Sequence, residues 1–376
     1  MRLTSTGECG YRNTARLVRS LALASALVAG LSFAVATPSQ ATYPDKNLAG
    51  SQPGSALPES LEGSTVYWSQ FVDLDFSAAR IVAANPHGRH FRVLTHPAAG
   101  VQDIDPKVSP DGSRILFERD LPDRSVAGLV GADGRGERVL SLPCAGRCAA
   151  ISAPTWTPNG RHVVFTRVLG PFDQVNNSAR SAVLWRSNLD GSHLVRLSKP
   201  GIDGAFEDYN ATFAPDGYIV FVRIRNADIK AAAFRMNADG SNVRRLTPWS
   251  VDADVLSVSP ARTGPSEDLV VFETYGHGPP DGVAQAIATV SATSRCGDGC
   301  ASHIRYLTSP GSLPVQNFNP TWSPDGKQIA YVKFSYVRTD TPPVRGDIWR
   351  MRWDGQGKAP VSRSPILFDF RPAWGW

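Results

Sequence analysis

Four pairs of polar residues recur at one place in the sequence: Asp103 and Asp105, Asp208 and Asn210, Asn317 and Asn319, and Asp369 and Arg371. Each pair is spaced i, i+2 at the start of an extended segment, and in a β-strand that spacing sends both side chains to the same face. The pairs are therefore expected to converge. Carboxylate and amide oxygens gathered in this way can order water or loop backbone, hold a basic side chain or a peptide segment, or coordinate a hard cation such as calcium. Free carboxylates at Asp103, Asp208 and Asp369 would also suit acid and base work. In a glycosidase two such groups stand about 5 to 9.5 Å apart beside an open cleft. Two further repeats break the series, with Ile151/Ala153 and Ala253/Val255.

Other candidates are fewer. Long segments from Leu169 to Ser181, Thr274 to Val283 and Phe334 to Arg345 read as loops, in which Phe172, Tyr275 and Tyr336 are candidate anchors for a partner. Cys144/Cys148 and Cys296/Cys300 are two Cys-x-x-x-Cys pairs, expected as local disulfides in an exported chain. Zinc is the rival reading, but the first pair has no His nearby and both pairs would have to meet to supply four ligands. His87 and His90 have a metal-ligand spacing but flank a hairpin turn, so no metal is assigned to them, and Asp73 and Asp75 could pair for acid and base work but read as a solvated loop.

The elements that must position these residues are repeats. Ser109-Pro-Asp-Gly112, Thr157-Pro-Asn-Gly160, Ala214-Pro-Asp-Gly217 and Ser323-Pro-Asp-Gly326 each precede a strand-like run, such as Arg114-Ile-Leu-Phe-Glu-Arg119. Proline pre-sets φ, Asp or Asn bonds the local backbone, and Gly supplies the left-handed residue, so each motif is a hairpin turn. Ser259-Pro260, before Asp268-Leu-Val-Val-Phe-Glu273, is a degraded fifth copy. A second turn, as in Leu189-Asp-Gly191 or Ala238-Asp-Gly240, precedes a short closing segment such as Val243-Arg-Arg-Leu-Thr247. Four antiparallel strands per unit make one propeller blade.

The turns start at positions 109, 157, 214, 259 and 323, at intervals of 48, 57, 45 and 64 residues; a blade needs about 40, so no interval hides two. A sixth blade is assembled from both ends. Arg371-Pro-Ala-Trp-Gly-Trp376 matches the inner strand at Asn319-Pro-Thr-Trp-Ser323, while Ser64–Gln70, Ala79–Ala84 and Phe91–Thr95 supply the other strands. The expected fold is all-β, a six-bladed β-propeller closed by pairing of its N- and C-terminal strands.

The Ser-Pro-Asp-Gly turn with an aromatic two residues before its Pro, and the Asp-Gly followed by Leu-Thr, resemble the WD-like repeat of TolB-like β-propellers over about residues 63 to 376. The resemblance implies the propeller, and similar blades occur in periplasmic TolB and in many sugar- or protein-binding modules. Residues before 63 leave no space for the small α/β domain that precedes the TolB propeller. Similar blades gate prolyl-oligopeptidase-like enzymes, but no Gly-x-Ser-x-Gly is present and no hydrolase domain fits.

Arg2, Arg12, Arg16 and Arg19 precede an apolar run from Leu21 to Ala36, and small side chains at Ser39 and Ala41 follow, so residues 1–41 read as a secretory signal peptide. The run is shorter than the roughly 20 residues of a membrane span. Pro- and Gly-containing residues 42–62 read as a flexible leader, and 63–376 as the propeller. Without residues 1–41 the net charge falls from +5 to +2, with no basic stripe, so no nucleic-acid partner is expected. The expectation is a monomeric, non-enzymatic binding module of the periplasm or secreted space, docking a protein or peptide at the channel mouth and loop face. A carbohydrate-active hydrolase or lyase is the alternative. No cofactor is assigned, with calcium in the channel as an option.

Overall fold

The computed structural model describes residues 61–72, 76–144, 148–170, 181–199, 205–275, 285–295, 300–308, 315–335, 345–363 and 368–376. The signal peptide and nearly all of the leader lie outside these residues, as do Asp73 and Asp75. Leu61, placed at the end of the leader by its sequence context, is fully buried against the first sheet, so packing begins slightly upstream of residue 63.

The regular structure described is β-strand, with short 3-10 turns such as Trp249–Val251. The first strands are β1 (Thr65–Phe71), β2 (Ala79–Ala84) and β3 (Arg92–Val93). A sheet of β4 (Gln102–Val108), β5 (Arg114–Asp120), β6 (Ser125–Gly131) and β7 (Arg138–Val139) follows. The next comprises β8 (Cys148–Trp156), β9 (His162–Leu169), β10 (Ser181–Asn188) and β11 (Val195–Arg196). After it come β12 (Phe206–Phe213), β13 (Ile219–Arg225), β14 (Lys230–Met236) and β15 (Arg244–Arg245). Another sheet holds β16 (Ala253–Val258), β17 (Leu269–Thr274), β18 (Ala286–Ser291) and β19 (Arg305–Tyr306). The last four in sequence are β20 (Val315–Trp322), β21 (Gln328–Ser335), β22 (Arg345–Arg352) and β23 (Ala359–Pro360).

The final strand, β24 (Asp369–Gly375), pairs antiparallel with β1, setting Tyr67 opposite Ala373 and Gln70 opposite Asp369. Phe71 and Phe370 stack with ring centroids 4.6 Å apart, and Trp374 Nε1 donates to Ser64 Oγ at 2.9 Å. A single parallel bridge, Ala79 to Gln102, links this sheet to its neighbour. First strands also meet in succession: β4 packs on β8, β8 on β12, β12 on β16, β16 on β20, β20 on β24 and β24 on β4. Four-stranded antiparallel sheets arranged in this way fit a propeller.

Sheets stacked face to face bury both sides of their middle strands, which explains the unbroken apolar runs after each turn. Phe117, Phe165, Phe221, Phe272 and Tyr331 occupy corresponding places on the second strands and are all buried. The turns form as expected: Asp111 Oδ1 accepts from the Ser113 amide at 3.1 Å, and Gly112 takes φ 73°. Outer strands are only two residues long and carry Arg92, Arg138, Arg196, Arg244 or Arg305, or Pro360 in β23, a short edge whose charge or proline resists pairing with another chain.

A hydroxyl closes five of the repeats. Thr95, Ser198, Thr247, Thr308 and Ser362, just past the outer strands, accept a hydrogen bond from the amide of Ile81, Leu184, Ala233, Ile287 and Ile348 respectively, at 2.8 to 3.0 Å. The Leu-Thr signature, or its Leu-Ser and Val-Ser forms, thus fastens the end of these five sheets before the chain crosses to the next.

Candidate functional site

Every inner strand breaks its ladder at the same point. The register slips between Ile104 and Lys107, Ser152 and Thr155, Tyr209 and Thr212, Asp254 and Leu256, and Phe318 and Thr321, and it slips likewise where β24 meets β1. Within each bulge one residue adopts the left-handed conformation: Asp105 (φ 54°), Ala153 (46°), Asn210 (51°), Val255 (31°), Asn319 (49°) and Arg371 (49°). Asp and Asn tolerate this region; Ala, Val and Arg do not favour it and need outside support.

That support comes largely from the preceding sheet. Glu118 Oε2 accepts from the Ala153 amide at 2.8 Å, Glu273 Oε2 from the Asn319 amide at 2.7 Å, and Ser69 Oγ from the Asp105 amide at 3.1 Å. Val255 is held from within its own strand, by Asp254 Oδ1 at 2.8 Å. The bulges turn all six left-handed residues into a shared cavity of about 660 Å³. It extends to Trp376 and to Pro110, Pro158, Pro215, Pro260 and Pro324, so its other end lies at the hairpin turns.

The bulge separates the residues that strict alternation would have kept together. Asp105, Asn210, Asn319 and Arg371 line the cavity, whereas Asp103, Asp208, Asn317 and Asp369 do not. Asp103 is fully buried and grips Arg119 in a fork of 2.6 and 2.8 Å, and Asp208 does the same to Arg223 at 2.7 and 2.9 Å. Thr95 and Ser198, the closing hydroxyls of the preceding sheets, bond these same two carboxylates. Asp103 and Asp208 therefore staple one sheet to the next. Asp369 accepts from Gln70 Nε2 at 2.9 Å, and burial is the chief cause pushing its pKa up to about 6. Asn317 is buried opposite Lys333, whose ammonium lies 4.1 Å from the Trp349 ring centroid.

Around the cavity floor one guanidinium faces several acids. Arg371 lies 3.5 Å from Asp105, which also receives Lys107 Nζ at 2.6 Å. Burial opposes the charge on Asp105, but Lys107 and Arg371 outweigh it and hold this carboxyl below its usual range. Glu118 is pushed up to about 8 by burial and by Asp120, and Glu273 up to about 7 by burial and by Asp254. Both therefore hold their protons more tightly than free glutamates, and the floor brings Asp105, Lys107, Arg371 and hydrogen-bonding amides together.

Tyr275, one expected loop anchor, donates instead to Glu273 Oε1 at 2.8 Å and so belongs to the cavity's supporting network. Phe172 and Tyr336 lie outside the described residues. Of the two expected disulfides, Cys144–Cys148 is the one present among the described residues. The expected Cys296–Cys300 disulfide is not among them: Cys300 opens a short 3-10 helix, Cys300–His303, while Cys296 and the turn that would bring the two together lie outside the described residues. Among the described residues, no group of three or more His, Cys, Asp or Glu side chains is placed to hold a metal ion. Sequence reasoning missed Glu118 and Glu273. The signal was a glutamate directly after the buried aromatic in only two of the repeats, Phe117-Glu118 and Phe272-Glu273.

The arrangement of sheets recurs in solved structures. TolB from Acinetobacter baumannii superposes with a TM-score of 0.58 at 18% identity, over 83% of this chain and 66% of that one. A TolB-type structure from Agrobacterium tumefaciens gives 0.54 at 14% identity, over 83% of this chain and 98% of that one. The fold is that of a TolB-like β-propeller. Hydrazine synthase from Kuenenia stuttgartiensis shares this propeller, with a TM-score of 0.61 at 14% identity over 83% of this chain and 46% of that one. No protein-family model and no curated protein matches the sequence. No helix among the described residues is long and apolar enough to cross a membrane.

Proposed function

We propose that this TolB-like β-propeller is an exported, six-bladed, non-enzymatic binding module that docks a protein or peptide partner at its central cavity. The cavity itself carries this reading: about 660 Å³, lined by all six inner strands, charged and amide-rich at its floor and bordered by proline and tryptophan at the turns. Concave sites of this size with a few convergent polar groups are the usual form of a binding site. Support for six blades in a closed ring is the pairing of β24 with β1 and the unbroken succession of inner strands. Export to the periplasm or beyond is supported by the basic and apolar residues 1–41 and by the Cys144–Cys148 disulfide, a bond favoured in oxidising compartments.

The alternative, a carbohydrate-active hydrolase or lyase worked by Asp103, Asp208 and Asp369, needs carboxylates free to exchange protons. Arg119 and Arg223 hold the first two in bidentate pairs, which argues against it. The test is capture of partners from an envelope extract by the wild-type chain and by a Lys107→Ala, Asn210→Ala double variant at the cavity floor. A partner retained by the first and lost by the second is the expected result, and equal recovery of every partner would retire the cavity as the docking site.

A further inference from the structure

One sheet keeps the arginine of the stapling pair but not its carboxylate. Across the first and second strands Asp103 faces Arg119 and Asp208 faces Arg223, whereas Ile151 faces Arg167. Arg167 lies over Trp185, 4.9 Å from the ring centroid. Its Nε is buried without a hydrogen-bond partner among the described residues, and so is Nε1 of Trp185. Both groups can only donate. Two orphan donors side by side specify what is lacking, an acceptor, and beside a guanidinium an anionic one.

The surroundings agree. Burial lowers the pKa of Arg167, and no carboxylate among the described residues opposes it, while Asp103 and Glu137 raise that of Arg119. Trp185, Leu194 and the Cys144–Cys148 disulfide all pack against one apolar cluster that includes Leu142 and Ile151. Arg167 and Trp185 are themselves only half-buried, so their outer edges reach solvent. Neither lines the central cavity, so this site stands whether or not a partner enters there.

We infer that Arg167 and Trp185 form a docking point for an acidic side chain of a partner peptide, whose carboxylate supplies from outside the acceptor that Asp103 and Asp208 supply in their own sheets. An acidic sugar offers the same two oxygens. A peptide fits better, because Trp185 beneath the guanidinium, Ile151 opposite it and the apolar cluster on which Trp185 packs match an acidic residue flanked by apolar ones and would strip water from sugar hydroxyls without replacing their hydrogen bonds.

The test is fluorescence anisotropy on the full chain with labelled acetyl-Ala-Leu-Glu-Leu-Ala-amide and its Gln counterpart. The Glu peptide is expected to bind at least about tenfold more tightly, with the difference shrinking as salt is added. Arg167→Gln should erase that preference. Ile151→Asp, which supplies the carboxylate from within, should erase it as well while leaving the circular dichroism spectrum unchanged. Equal binding of the two peptides by the wild type, or an undiminished preference in Arg167→Gln, would overturn the inference. Binding of digalacturonate without binding of the Glu peptide would overturn the assignment to a peptide. If Arg167→Gln does not fold, the wild type and Ile151→Asp decide between these outcomes.

Discussion

The guanidinium of Arg371, on the last strand, lies 3.5 Å from a carboxylate oxygen of Asp105, on the first strand of the second sheet. This buried cation also faces Glu118, Glu273 and Asp120, all of which favour its charge. Removing it would leave Asp105 ionised beside them with Lys107 as its remaining partner. Arg371→Ala is therefore expected to cost about 3 to 5 kcal/mol, the usual loss when one member of a buried ion pair is deleted. Urea unfolding would measure it, and an unchanged midpoint would show that the acids reorganise without their counter-ion.

Stability should fall as the solution becomes alkaline. Glu118 and Glu273 titrate at about 8 and about 7 in the folded protein, against 4.5 for the free side chain. Between those limits the folded state binds more protons than the unfolded chain, so their contribution is complete below the lower value and is lost as pH climbs through the upper ones. Asp369, raised to about 6 from 3.8, acts in the same direction. The melting temperature should decline from about pH 5 to about pH 9, and Glu118→Gln with Glu273→Gln should flatten the decline. A melting temperature that rises across this interval would contradict the assignment.

The terminal pairing should govern folding as a whole. Deleting Phe370 to Trp376 removes most of β24, the Phe71–Phe370 stack and the Trp374–Ser64 hydrogen bond. Each buried aromatic alone is worth about 3 to 5 kcal/mol, and total stabilities are only about 5 to 15. Loss of a cooperative thermal transition is the expected outcome, and a melting temperature equal to that of the full chain would rule out a structural role for the pairing.

Asp103 and Asp208 should behave as structural residues. Asp208→Ala leaves Arg223, whose side chain is 13% exposed, without its fork, and a loss of about 3 kcal/mol or more is expected. Double-mutant cycles pairing Asp208→Ala with Arg223→Met should recover part of it. Two independent, additive losses would mean that the pair is not coupled.

Much of this was legible in the residues. Pro-Asp-Gly turns are strong local signals because each residue solves a separate backbone problem, and Ser109 to Gly112 fold as their chemistry dictates. The apolar runs around Phe117 and Phe221 likewise follow from burial on both faces. What strand alternation could not supply was the bulge. Ala153, Val255 and Arg371 have no intrinsic reason to be left-handed. Ala153 is held so by Glu118, distant in sequence, and Val255 by a neighbouring side chain whose orientation only the packed sheets decide. A one-residue error in register changes which face a side chain serves, and for that reason Asp103 and Asp105 parted company.

Trp376 lines the rim of the cavity, and its carbonyl oxygen stands 3.0 Å from where a side chain on Gly112 would begin. Anything fused after this residue leaves the fold beside the opening. A C-terminal affinity tag would thus hang across the entrance like a curtain and compete with whatever enters, whereas a label attached to an exposed outer strand, at Val139 or Val195, would leave that entrance clear.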